Sequence, residues 1–203
     1  FCCCLYPFSK TVDPIETIDP MYNPYESTVA IVQSIHSIMM DNTKQSIETR
    51  LSRLTSPISS LMNSITRHAN IQLEKTGTDT DGWWLKNGHI GTEHEQYLDY
   101  MREILEFGEL KHICEVGLNA GHSAALFLAM TGQYNTIYHS LDLLEHVYSK
   151  VTVDLLKHVF GTRFVLYSGD SKVTMNTNHQ SLKECQIWSL DGDHGDGAIK
   201  DIQ

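Results

Sequence analysis

Apolar positions along this chain change their period twice, and each change marks a different kind of element. Ile47, Leu51, Leu54, Ile58, Leu61 and Ile65 recur at alternating spacings of four and three residues, the seam of an amphipathic helix. Pro57 falls inside that seam just after Thr55-Ser56, where Ser56 can cap a new helix with Pro57 in its first turn. The pattern therefore allows two helices or one kinked helix. An earlier set, Ile31, Ile35 and Ile38, is out of phase with it. The favoured reading is a helical pair packing on the domain that follows. The alternative is a short coiled coil that makes a homodimer through residues 25–76, which would ordinarily need roughly three to four uninterrupted heptads.

Beyond a turn-rich stretch from Gly77 to Gly91, Thr92 and Glu95 form a capping box. Tyr97, Leu98, Met101, Ile104 and Leu105 follow on one face, predicting a helix over Thr92–Phe107. From there short apolar runs alternate with helical patterns. The runs are His112 to Val116, Thr136 to Leu141, Arg163 to Tyr167 and Gln186 to Leu190, with helices after Gly121 and over His146 to Phe160. Such alternation means parallel strands joined by helical crossovers. The predicted fold class is α/β, a Rossmann-like doubly wound parallel sheet preceded by an α-helical N-terminal segment.

Glycine and proline sharpen these boundaries. All 13 Gly fall at Gly77 or later and all five Pro at Pro57 or earlier. Pro7, Pro14, Pro20 and Pro24 rule out a long helix near the start, so residues 1–24 read as an extended lead, 25–76 as the helical segment and 77–203 as the α/β domain. The formal charge is -10, and 18 of the 25 acidic residues lie after residue 76. An acidic surface argues against nucleic acid as a partner, because phosphate binding needs basic side chains that release counterions. No apolar run approaches the roughly 20 residues of a membrane helix. Of five cysteines, Cys2-Cys3-Cys4 form a run after Phe1, while Cys114 and Cys185 stand alone and read as buried thiols. The run reads as a ragged terminus, with a membrane tether upstream of residue 1 as the alternative. No Asn-x-Ser/Thr sequon occurs, so a cytoplasmic location is the default.

In open α/β sheets ligands sit at the carboxyl ends of the strands, so the residues after each run carry the chemistry. The first run ends Glu115-Val116-Gly117-Leu118-Asn119-Ala120-Gly121-His122-Ser123, a glycine-containing turn entering a helix. Glycines there let backbone N–H groups approach a ligand, and a helix N-terminus favours an anion. A nicotinamide dinucleotide turn would want Gly-x-Gly-x-x-Gly, but Asn119 and His122 replace its second and third glycines, which disfavours an NAD-dependent enzyme. The second run ends in Asp142, the third in Gly169-Asp170-Ser171, and the fourth in Asp191-Gly192-Asp193-His194. Taken singly, each is equally a turn or helix cap.

Taken in order, Glu-x-Gly-x-x-x-Gly-x-Ser, the acid after the second strand, the Gly-Asp-Ser turn and the Asp-Gly-Asp-His ending resemble class I S-adenosylmethionine-dependent methyltransferases. They are most similar to methyltransferase family 24 and the catechol-type O-methyltransferases. The resemblance covers about Thr92 to Gln203. It implies methyl transfer to a small-molecule acceptor, at a hydroxyl, with S-adenosyl-L-methionine as cofactor. Ser123 and the backbone of Gly117, Asn119 and Gly121 would then receive the methionine carboxylate, Asp142 the ribose, and Gly169, Asp170 and Ser171 the adenine. Glu115 would support the turn or reach the amino group through water. Asp191 would contact the methionine end or, in the metal-using branch, give a carboxylate to Mg²⁺. His194 is the candidate general base, with capping or cofactor contact as its alternative role. Trp83 and Trp84 read as packing residues or as a wall of the acceptor pocket.

The family's sheet has seven strands and only four are assignable before Gln203, so the expectation is a fragment at both ends, inactive by itself, with its last strand an exposed edge. A reading from another class is an interaction protein whose helical module dimerises or tethers a sheet that has lost turnover.

Overall fold

A computed structural model describes residues 23–41, 45–76 and 94–191. Three helices come first: α1 (Pro24–Asp41), α2 (Ile47–Thr76) and α3 (His94–Phe107). The remainder alternates as β1 (His112–Val116), α4 (His122–Met130), β2 (Ile137–Asp142), α5 (Val147–Phe160), β3 (Phe164–Ser168), the short helices α6 (Ser171–Thr177) and α7 (His179–Leu182), and β4 (Ile187–Leu190). All four strands are parallel, in the order β3-β2-β1-β4, which is compatible with a Rossmann-like sheet.

Pro24 belongs to α1 rather than to the extended lead. As the first helical residue it gives up an N–H that would have no partner anyway, and the Asn23 side chain accepts from the Tyr25 N–H at 3.1 Å. Pro57 does not divide α2, which runs unbroken through it. A proline there gives up one i→i−4 hydrogen bond of the ladder, and the flanking burial of Leu54, Ile58 and Leu61 keeps the helix continuous. Helix α3 begins at His94; Thr92 of the capping box, with Trp83 and Trp84, lies outside the described residues.

Neighbouring residues in a parallel ladder share a face, and the register divides the sheet in two. On one face Ile113, Tyr138, Phe164 and Ile187 meet all five long helices in one continuous core. The seam residues Leu51, Leu54, Ile58, Leu61 and Ile65 of α2 are buried within it. A buried hydroxyl pair, Thr28 and Ser64 at 2.8 Å, ties α1 to α2. On the other face Cys114 and Leu141 meet Leu182 in a small cluster flanked by Tyr167, Met175 and Cys185.

Cys114 and Cys185 are not thiols. They form a disulfide, with Cα atoms 5.7 Å apart, that joins β1 to the residue two positions before β4. The pairing arises because β1 and β4, far apart in sequence, are neighbours in the sheet. No helix among the described residues is long and apolar enough to cross a membrane.

Candidate functional site

The order β3-β2-β1-β4 reverses between β1 and β4, so the crevice of a doubly wound sheet opens at the carboxyl ends of these two strands. Val116 leads there into a turn with three residues in the left-handed region, Gly117 (φ 93°), Asn119 (φ 50°) and Gly121 (φ 75°). Asparagine is among the few non-glycine residues that adopt this conformation readily, which explains why Asn119 can stand where a dinucleotide turn has glycine. Gly121 has no alternative. A Cβ there would lie 2.8 Å from Leu156 Cδ1 and 3.2 Å from Thr152 Cγ2, both on α5.

Asp142, at the end of β2, closes on this turn. Its Oδ2 accepts from the N–H groups of Leu118 (2.8 Å) and Asn119 (3.2 Å), and its Oδ1 accepts from Leu144 (2.6 Å). A carboxylate offers about four acceptor positions, so three are taken. Further bonds run from Gly117 N–H to Leu141 O and from Gly121 N–H to Leu118 O. The turn is thus held largely by its own strand ends.

Beneath it lies Glu115, buried in the sheet. Ser123, on α4, donates its hydroxyl to Oε1, and Ser140 lies 3.4 Å from Oε2. No ion pair reaches Glu115 from any lysine, arginine or histidine among the described residues. Loss of water therefore dominates and pushes its pKa up to about 8, against lowering by Ser123 and Tyr138, with Asp191 and Asp142 adding to the rise. Near neutrality Glu115 is mostly the uncharged acid, and the Ser123 hydroxyl is directed to it rather than offered to a ligand carboxylate.

Asp191 follows β4, its N–H bonded to Val116 O at 2.9 Å, which sets it beside the start of the turn. Tyr100 of α3 joins this corner through a hydrogen bond with Ser189, and burial raises its phenol pKa. Asp170 stands at the end of β3 as the cap of α6, accepting from the Lys172 N–H at 2.9 Å, with Gly169 before it (φ 131°) and Ser171 opening the helix. Gly117, Asn119, Gly121, Glu115, Ser123, Asp142 and Asp191 therefore converge on one corner of the sheet, while Gly169, Asp170 and Ser171 occupy the next strand end but one. His194 lies outside the described residues, as do Gly192 and Asp193. No group of three or more histidine, cysteine or acidic side chains able to hold a metal occurs among the described residues, so these do not by themselves make a Mg²⁺ site around Asp191.

Sequence reasoning missed the companions of Glu115. Ser140 and Ser189 are its register partners on the two flanking strands, each two residues before the terminal acid of its strand, as Glu115 is two before Gly117. The signal was present: a buried acid inside an apolar run needs hydrogen-bond partners, and Ser140 supplies one while Ser189 bonds to Tyr100. Comparison with family models, curated proteins and solved structures finds no match for this chain.

Proposed function

We propose that the chain is the cofactor-binding part of a class I S-adenosylmethionine-dependent methyltransferase, resembling family 24 and the catechol-type enzymes, that methylates a hydroxyl of a small-molecule acceptor. In this reading the four strands are the first four of a seven-stranded sheet. The observation that carries it is the switch-point corner, where the left-handed turn Gly117–Gly121 stands between Asp142 and Asp191. The remaining acceptor position of Asp142 takes a ribose hydroxyl, and Asp170 with Ser171 takes the adenine. Asp191 and the turn border the methionine end. Transfer of a methyl group from a sulfonium is an in-line displacement, so positioning donor and acceptor is the main demand on the protein. His194 then serves to remove the acceptor proton.

One observation favours a second reading, an interaction protein whose site no longer turns over. Two of the side chains expected to meet the cofactor are engaged within the protein, Asp142 by the turn and Ser123 by Glu115. Calorimetric titration of the full chain with S-adenosylhomocysteine, beside Asp142→Ala, separates the readings. The methyltransferase reading expects saturable binding that weakens by about tenfold or more in the variant, the loss of a charge-assisted hydrogen bond. A folded native chain that does not bind sinks it. Blue-shifted nicotinamide fluorescence on titrating NADH would instead revive a dinucleotide enzyme.

A further inference from the structure

The N-terminal helices lie outside the methyltransferase resemblance, which begins at Thr92, yet one of them touches the turn directly. Thr66 Oγ1 of α2 lies 2.9 Å from His122 Nε2. His122 is the first residue of α4, follows Gly121 immediately, and is buried. Ala69 and Leu73, further along the same face of α2, form a separate buried cluster with Ala120 of the turn and Tyr148 of α5. The turn also packs against α5, where a Cβ on Gly121 would meet Leu156 Cδ1 at 2.8 Å and Thr152 Cγ2 at 3.2 Å. The turn therefore packs on both α2 and α5, and Thr66–His122 is a polar contact from α2 to the residue that follows it.

We propose that Thr66 is a positioning residue for the ligand turn, holding His122 and through it the left-handed geometry of Asn119 and Gly121. Asp142 fixes the turn from the side of β2, and on the side of α2 the apolar contacts from Ala69 and Leu73 fix distance better than orientation. The hydrogen bond supplies the orientation: it sets the first residue of α4 and with it the entry of the turn into the helix. The N-terminal segment is then part of the frame of the site rather than an appended module. This rests on the reading that the turn receives the cofactor.

Thr66→Val keeps the shape and removes the hydroxyl, and Thr66→Ser restores it. Amide hydrogen exchange across residues 117–123 and titration with S-adenosylhomocysteine are compared in the full native chain and both variants. In Thr66→Val the turn amides exchange about tenfold faster and binding weakens by a similar factor, the effect of one net hydrogen bond, while β2 and β3 exchange as before. Thr66→Ser recovers both. Unchanged exchange of the turn in Thr66→Val overturns the proposal, as does acceleration that spreads equally to β2 and β3, or failure of serine to rescue. Should the native chain not bind S-adenosylhomocysteine while exchange of the turn responds as described, the positioning role stands and the cofactor reading falls.

Discussion

The two faces of the sheet are built from the same four strands but held by different means. The face that meets α1 to α5 is sealed by a core running from Ile35 to Phe164, with the polar Glu115 buried beneath the turn. The opposite face carries two short helices and a small apolar cluster, and leaves Trp188 and Leu190 of the edge strand 41% and 37% exposed. In place of bulk it has a cross-link, Cys114–Cys185, and a ladder of rings in which His112 Nδ1 lies 3.0 Å from His139 Nε2 and His139 Nδ1 3.1 Å from the Tyr167 hydroxyl. One face relies on buried area and the other on a few specific bonds. Single changes should therefore act on them in different ways.

The largest effect is expected from the cross-link. The cysteines are 71 residues apart in sequence, and closing a loop of that length restricts the unfolded chain by about 4 kcal/mol in the chain-entropy account. Reduction with a dithiol should lower denaturant stability by roughly that amount, with exchange of the β4 amides rising first because β4, among the described residues, pairs only with β1. Equal stability before and after confirmed reduction would remove the idea that the thin face depends on the bond. Next comes a cavity on the thick face. Ile58→Ala, at a site with no exposure, should cost about 3 kcal/mol, within the roughly 2–5 kcal/mol range for such truncations. The same measurement on Val173→Ala, 63% exposed on α6, should stay within about 0.5 kcal/mol.

The contrast also explains what could be read in advance. Strand positions were legible to within a residue or two because each apolar run is short and closed by glycine or an acid, signals that are local in sequence. The ends that gather at the site, Gly117, Gly121, Asp142 and Asp191, were legible for the same reason. The disulfide was not, since the adjacency of Cys114 and Cys185 exists only once β4 has paired with β1, a fact of sheet order. The grip of α2 on the turn was hidden likewise: Thr66 and His122 are 56 residues apart and belong to different elements. Pro57 left two helices and one kinked helix both open, and the single helix of the structure follows the burial of Leu54, Ile58 and Leu61 around it.

Buried acid on the thick face and stacked imidazoles on the thin face give the two faces opposite responses to pH. Glu115 has a folded pKa of about 8 against 4.5 for the free group. Between those values the unfolded chain has lost its proton and the folded chain keeps it, so stability falls as pH rises toward 8. Glu115→Gln, neutral throughout, should gain on the native protein by about 2 kcal/mol between pH 5 and pH 8, short of the limit of about 5 kcal/mol that the full shift would allow. Parallel stability curves across that range would refute the buried neutral acid.

On the thin face the sign is reversed and the effect smaller. Burial, then the neighbouring His112, lowers the His139 pKa to about 4 from 6.5. Below pH 6.5 the unfolded chain takes up a proton that folded His139 refuses, so the stability its neutral form contributes is present above 6.5 and lost as pH falls toward 4. His112 and Tyr167 are only partly buried, so solvent reaches the ladder from both ends and the contribution is held to about 1 kcal/mol. His139→Phe keeps a stacked ring of similar shape without a titrating nitrogen. Its stability relative to the native protein should rise by that amount between pH 7 and pH 4.5, in the direction opposite to Glu115→Gln, and exchange of β2 and β3 amides should report it before that of α2 or α4. If both variants moved the same way with pH, the division of the sheet into a face held by area and a face held by specific bonds would not survive.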